Sequence, residues 1–168
     1  ASGCGVTLKD YPSHFPVGDP DHELASRIAS RIVDVVELFD DHSINAAPIR
    51  VAVHTPCTLS SGQQLGTNVA DVLTRAGIDV TATGPQLACC GSAGTYSVLQ
   101  PKLATALQAM MITALTTHAP EAIVTANIGC QMHLGAATKV PVLHWAELLW
   151  RQHEALNSAP GRAPQPDL

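Results

Sequence analysis

No run in this 168-residue sequence approaches the ~20 apolar residues that a membrane-spanning helix needs, although 46% of the chain is hydrophobic. A basic amphipathic stripe of the kind that lies on lipid is missing as well. Positive charge is scarce: Lys plus Arg number 9 against 14 for Asp plus Glu, a formal net charge of -5. Little here would release counterions from a phosphate backbone, so nucleic acid is not an expected partner. Neither a Gly-x-Gly-x-x-Gly after a strand nor a phosphate-binding Gly-Lys-Ser/Thr occurs, which removes dinucleotide and nucleotide sites. An initiator Met and a charged-then-apolar leader are also lacking, and the opening Ala1-Ser2-Gly3-Cys4-Gly5 reads as a fragment of a longer protein.

Cysteine is present but ill suited to disulfides. There are 5, two of them adjacent, and neighbouring residues seldom reach disulfide geometry while an odd count leaves one thiol over. Reduced, metal-binding cysteines in a cytoplasmic setting are the expectation. A chain of this length can bury roughly two-thirds of the surface its unfolded form exposes, so it needs no staples to fold.

Residues 1–18 carry Pro12 and Pro16 and read as loop, after which Asp19 or Asp21 caps a helix to about Phe39. Its apolar positions Leu24, Ile28, Ile32, Val35, Val36 and Phe39 recur at helical spacing. The polar Asp40 to Pro48 segment reads as a connection between modules. Strand and helix then alternate: Ile49 to His54 as strand, Leu65 to Ala76 as helix and Ile78 to Ala82 as strand. Pro101 to His118 follows as helix, Ala122 to Ala126 and Val140 to His144 as strands, and Trp145 to Glu154 as a last helix. This alternation predicts an α/β fold, a parallel sheet of about four strands flanked by helices with right-handed connections. Residues 157–168, rich in proline, are expected to be disordered.

The reactive side chains fall where these strands end. Cys57 follows the first strand, Cys89 and Cys90 the second, and Cys130 the third. In a parallel sheet the carboxyl ends of all strands lie on one edge, so three loops distant in sequence bring four thiols into one crevice. Thiolates gathered this way suit iron–sulfur clusters or zinc, not hard ions such as Mg²⁺. Gly91, Gly94 and Gly129 beside the cysteines leave room for a cluster and backbone N–H groups for its sulfides. The bland alternative, that each cysteine is a small buried hydrophobe, suits one cysteine better than four.

The spacing of these motifs, 31 residues between Cys57 and Cys89 and 39 between Cys90 and Cys130, resembles the CCG cysteine-rich module. That module is shared by the heterodisulfide reductase B subunit, lactate-utilisation proteins and the glycolate oxidase iron–sulfur subunit. The strings His54-Thr-Pro-Cys57-Thr-Leu, Ala88-Cys-Cys-Gly-Ser-Ala-Gly-Thr-Tyr-Ser-Val-Leu-Gln-Pro101 and Thr125-Ala-Asn-Ile-Gly-Cys130-Gln-Met-His133-Leu are similar to the C-terminal half of the last of these families. Ala1-Ser-Gly-Cys4-Gly echoes Asn127-Ile-Gly-Cys130-Gln, which implies that residues 1–41 are the end of a first cysteine-rich module and 48–156 a complete second one. On that reading Cys4 belongs with the missing first module, and an N-terminal ferredoxin-like region is missing too.

The resemblance implies an iron–sulfur cluster, of the 4Fe-4S type and in heterodisulfide reductase of a noncubane form, on Cys57, Cys89, Cys90 and Cys130; zinc on the same residues is the alternative. Where the broad family often ends in Cys-x-x-Cys, this chain has Cys130-Gln-Met-His133. His133 is either a ligand in place of the absent thiolate or a histidine that only hydrogen-bonds nearby. The implied role is electron transfer from flavin-binding glycolate oxidase subunits that oxidise glycolate to glyoxylate, with the chain in the cytoplasm or peripheral at the inner face of the membrane. A fragment of this kind is not expected to be catalytic alone.

His54 and His144 end two strands on the predicted edge, as donors that tune a cluster or proton partners, or as satisfied core histidines. A Cys57–His54 nucleophile would leave the clustering of four thiols unexplained. Tyr96 and Ser97 are expected to cap a short helix, and Met110 and Met111 to fill core. Trp145 and Trp150 either pack on the sheet or meet another subunit. Truncation of a first module would leave part of helix 19–39 bare, allowing a homodimer that buries Ile28, Ile32 or Val36.

Overall fold

The short apolar runs Val51 to Val53 and Ala122 to Val124 become inner strands because both of their faces are covered. A computed structural model describes residues 1–39, 44–84 and 89–158. Its strands are β1 (Arg50–His54), β2 (Asp79–Thr83), β3 (Ala122–Thr125) and β4 (Val142–His144). They form one sheet in the order β2-β1-β3-β4 with every pair parallel. The fold is α/β, as the alternation of strand and helix predicts. β1 and β3, the inner strands, are buried along almost their whole length.

Side chains alternate across a strand, and that alternation sorts the core into two layers. Val51, Val53 and Val124 pack with Val72 and Leu73 of α4 (Asn68–Arg75) and with Trp145, Leu148 and Leu149 of α8 (Trp145–Asn157). Ala52 and Ile123 face the other way, onto Met111 and Leu115 of α6 (Pro101–Thr116) and Leu134 of α7 (Ile128–Gly135). Cys90 and Cys130 belong to this second layer. Two-residue steps from Ala52 and Ile123 put His54 and Thr125 on that same face.

Three helices stand where the sequence reads as loop or strand end. Ser2–Lys9 forms α1, because the prolines that disfavour helix begin only at Pro12, and Pro12 itself sits in a short 3₁₀ turn, Tyr11–His14. Cys57–Gln63 forms α3, entered through Pro56, and α7 starts from Asn127, whose Oδ1 accepts the Gly129 N–H at 2.9 Å. Glycine and cysteine weaken the helical pattern in all three. The short α5, Tyr96–Leu99, begins at Tyr96, with no side-chain cap; Ser97 Oγ instead donates to the Gly94 carbonyl at 3.3 Å.

The expected helix 19–39 is two elements. Asp19 does cap α2 (Pro20–Ala29), accepting from the Asp21 N–H at 2.8 Å. The chain then leaves helix, and a 3₁₀ turn, Val35–Phe39, begins where Asp34 Oδ1 accepts the Val36 N–H at 3.2 Å. A run of β-branched residues around an aspartate that competes for backbone N–H groups breaks the longer helix. Val36 is fully buried in the chain's own core, so it is not available to the homodimer interface expected of it, whereas Ile28 is exposed. Met111 fills core as expected, but Met110 is exposed, one residue being a turn of about 100° around α6. Trp145 is buried edge-to-face against Phe39, and Trp150 lies exposed. Residues 40–43, at the start of the expected inter-module connection, and 159–168 of the expected tail lie outside the described residues.

Leu73 is fully buried between α4 and the sheet. Leu73→Ala should lower stability by about 2–5 kcal/mol in urea unfolding with an unchanged m-value; a loss under about 1 kcal/mol would mean that this layer is not packed as described.

Candidate metal centre

Parallel pairing of β1 and β3 sets His54 directly beside Thr125. His54 Nδ1 and Thr125 Oγ1 are 2.9 Å apart, and both residues are buried. The chain after β2 brings Cys89 and Cys90 to this edge, and α7 brings Cys130, three residues after its capping Asn127. One ligand atom each from His54, Cys90 and Cys130 lies within 4.8 Å of the others; among the described residues this is the only His/Cys/Asp/Glu group so close. The two sulfurs stand at the edge that the strand ends predict, but Cys130 is carried on a helix where a loop is expected, as is Cys57. The imidazole comes from the end of the central strand itself.

Cys57 is exposed on the first turn of α3 and Cys89 is half-buried, both outside the compact trio. They are near enough for their charges to act on Cys130. Cys89 Sγ accepts the Gly91 N–H at 3.3 Å, a backbone contact of the kind expected for sulfur at such an edge. Cys4 is exposed on α1. His133 also stands outside the trio: its Nε2 is buried without a hydrogen-bond partner and lies 3.0 Å from where a Gly91 Cβ would stand. Gly91 has φ +95°, and an added Cβ would come within 2.3 Å of the Ala104 carbonyl oxygen, so only glycine fits this turn. Gln108 of α6 donates to the His133 carbonyl and ties α7 to α6.

The two thiols are driven in opposite directions. Cys130 donates to Cys90, and this hydrogen bond, aided by His54 and opposed by burial, pulls the Cys90 pKa down to about 4. Cys130, as the proton holder, is pushed far up by the same bond and by burial. Burial also raises Cys89, against the pull of the Gly91 N–H. His144 plays a separate, structural part, for its Nδ1 accepts the Ala146 N–H and caps α8, while burial lowers its pKa. Two buried sulfurs beside the buried Nε2 of His54 are a donor set that fits a thiophilic metal or cluster.

A parallel α/β sheet with thiols collected at its carboxyl edge defines this chain as a cysteine-rich domain of the CCG type. The family model described as "CCG: Cysteine-rich domain" matches residues 51–135, half of the sequence, and the chain belongs to that family. It is 40% identical over 153 residues to the glycolate oxidase iron-sulfur subunit of Escherichia coli, an alignment covering 89% of this chain and 38% of that protein. It is 30% identical over 165 residues to the probable glycolate oxidase iron-sulfur subunit of Bacillus subtilis, covering 89% and 37%. It is 28% identical over 165 residues to the lactate utilization protein A of Oceanobacillus iheyensis, covering 89% and 66%. The chain therefore spans less than two-fifths of the glycolate oxidase subunits it matches. No helix among the described residues is long and apolar enough to cross a membrane.

In metal-free protein the ultraviolet thiolate absorbance should fall as pH drops through about 4, and Cys130→Ala should move that midpoint upward by removing the donor. The sign for stability follows. Cys90 lies below its unfolded value, so the pair's contribution grows as pH rises from about 4 toward the ordinary thiol range. Cys130 lies above its own, so the contribution declines beyond that range. No thiolate signal at neutral pH would refute the lowering of Cys90 by Cys130.

Proposed function

We propose that this chain carries an iron–sulfur centre on Cys57, Cys89, Cys90 and Cys130 and serves as the electron-transfer part of an oxidoreductase of the glycolate oxidase type. The observation that carries the reading is the gathering of buried Cys90 and Cys130, from separate parts of the chain, with His54 at one sheet edge, Cys57 and Cys89 lying near them. These sulfurs would hold a bound metal as thiolates, since coordination keeps thiols deprotonated. Kinship to proteins named as iron-sulfur subunits favours iron and sulfide as the occupant.

A bound 4Fe-4S cluster, cubane or noncubane, would supply one-electron chemistry. The protein's part is to hold the donors, to exclude water with the α6 and α7 layer, and to offer the Gly91 turn close to sulfur. On this proposal residues 1–41 end a first cysteine-rich module that includes Cys4, and 48–156 make the second. Flavin-binding subunits would oxidise glycolate to glyoxylate, with a ferredoxin-like region of the same subunit and an acceptor at the membrane completing the path. Zinc is the second reading, favoured by the compactness of His54, Cys90 and Cys130, which suits a single tetrahedral ion.

Protein purified without oxygen should be brown and contain iron and acid-labile sulfide, and the double variant Cys89→Ser, Cys90→Ser should lose all three signs while remaining folded by circular dichroism. Colourless protein with stoichiometric zinc would replace electron transfer with a structural role. Turnover of glycolate by this chain free of flavoprotein would overturn the assignment of oxidation to other subunits.

A further inference from the structure

We infer that His54 is a direct nitrogen ligand of the metal centre, completing a donor set with Cys90 and Cys130, and that Thr125 positions its ring. The inference rests on the reading that a metal centre occupies this edge. It also chooses between two histidines, since the sequence motif points to His133 as the replacement for an absent fifth thiolate.

The case begins with where the backbone puts the ring. His54 is the last residue of β1, on the face shared by Ala52, Cys90 and Cys130, and it is 2% exposed. A histidine in such a place ordinarily has both nitrogens satisfied. Here Nδ1 is engaged by the buried Thr125 hydroxyl directly across the strand pair, and Nε2 has no nitrogen or oxygen partner, only the sulfur of Cys90 near the ring. With Nδ1 committed to Thr125, Nε2 is the nitrogen left to face the two sulfurs of the trio. Coordination through Nε2 requires the proton on Nδ1, donated to Thr125 Oγ1. Metal-bound histidines characteristically send their second N–H to an acceptor in this way.

His133 fails the same comparison. Its Nε2 is also buried and unpaired, but it abuts the Gly91 turn and does not join the trio. The carbonyl contact from Gln108 fixes the backbone at His133 as part of the α6–α7 packing. His144 is occupied as a helix cap. Of the strand-edge histidines, His54 alone combines a fixed ring, a free nitrogen and two sulfurs within reach.

The test is pulsed electron paramagnetic resonance on the reduced, iron-loaded protein, grown with ¹⁵N-histidine or without it. A strong nitrogen coupling that responds to the label is expected in wild type and in His133→Gln. His54→Cys should keep its iron and sulfide, lose the coupling, and shift to a lower reduction potential as sulfur replaces nitrogen. Thr125→Val should weaken or split the coupling, and Thr125→Ser should restore it, a rescue that a purely packing role would not produce. If the bound metal is zinc, X-ray absorption should count one nitrogen donor in wild type and none in His54→Cys. The inference is overturned if coupling is only the weak kind given by a hydrogen-bonded nitrogen, if it survives in His54→Cys, or if His133→Gln abolishes it. Iron-loaded wild type without strong coupling would sink this inference and leave the proposed function standing; wild type binding neither iron nor zinc would remove both.

Discussion

The in-register parallel pairing of β1 with β3, from Val51 on Ala122 to His54 on Thr125, is the constraint on which the rest of the molecule depends. Because the two strands end together, the segments leaving them open on one edge. Because side chains alternate, the valines go to one layer and the alanine, isoleucine, histidine and threonine to the other. A one-residue slip would send a polar residue into the apolar layer built by Trp145, Leu148 and Leu73, away from the sulfurs. Register therefore couples the packing of the core to the chemistry of the edge.

The price of this arrangement is polar burial. His54 and Thr125 satisfy each other once, yet Nε2 of His54 and Nε2 of His133 remain buried without partners. Such groups cost about 1–3 kcal/mol each when left unmet. A buried thiolate adds an uncompensated charge unless a proton or a cation lies beside it, and the Cys130 thiol fills that role for Cys90. On the metal centre proposed above, coordination would satisfy the orphan ring and the thiolate at once, and metal binding and local folding at this edge would be a single process.

Much of this was legible in the sequence, and the boundary of legibility has a physical basis. Strands β1 and β3 declare themselves because strands buried on both faces need uninterrupted apolar runs. The gathering of Cys90 and Cys130 follows from strand polarity alone. Helices α1, α3 and α7 escape notice because Gly3, Gly5, Gly62 and Gly129 weaken their periodicity; what stabilises them is tertiary, such as Gln63 donating to the Ser2 carbonyl at 3.1 Å. The choice of His54 over His133 was beyond reach of spacing arguments. His133 sits in the expected motif one helical step from Cys130, whereas the place of His54 depends on a cross-strand register and on a hydroxyl 71 residues away.

The N-terminal helix shows how far the influence of the edge extends. Ser2 donates its N–H to the Ala126 carbonyl at 3.0 Å, just beyond β3, and its hydroxyl meets Thr58 Oγ1 at 2.8 Å, one residue after Cys57. Asn127, the cap of the helix that carries Cys130, donates to the same Thr58 hydroxyl at 3.3 Å. Gln63, at the other end of the Cys57 helix, donates to Asp34 at 3.0 Å. The segments bearing Cys57 and Cys130 are thus fastened to each other through Thr58 and to the first helix through Ser2, all by short, partly buried hydrogen bonds. Displacing α1 would loosen two cysteine-bearing helices together. A chain segment that contributes no atom to the His54, Cys90 and Cys130 group is thereby tied by hydrogen bonds to the helix that carries Cys130.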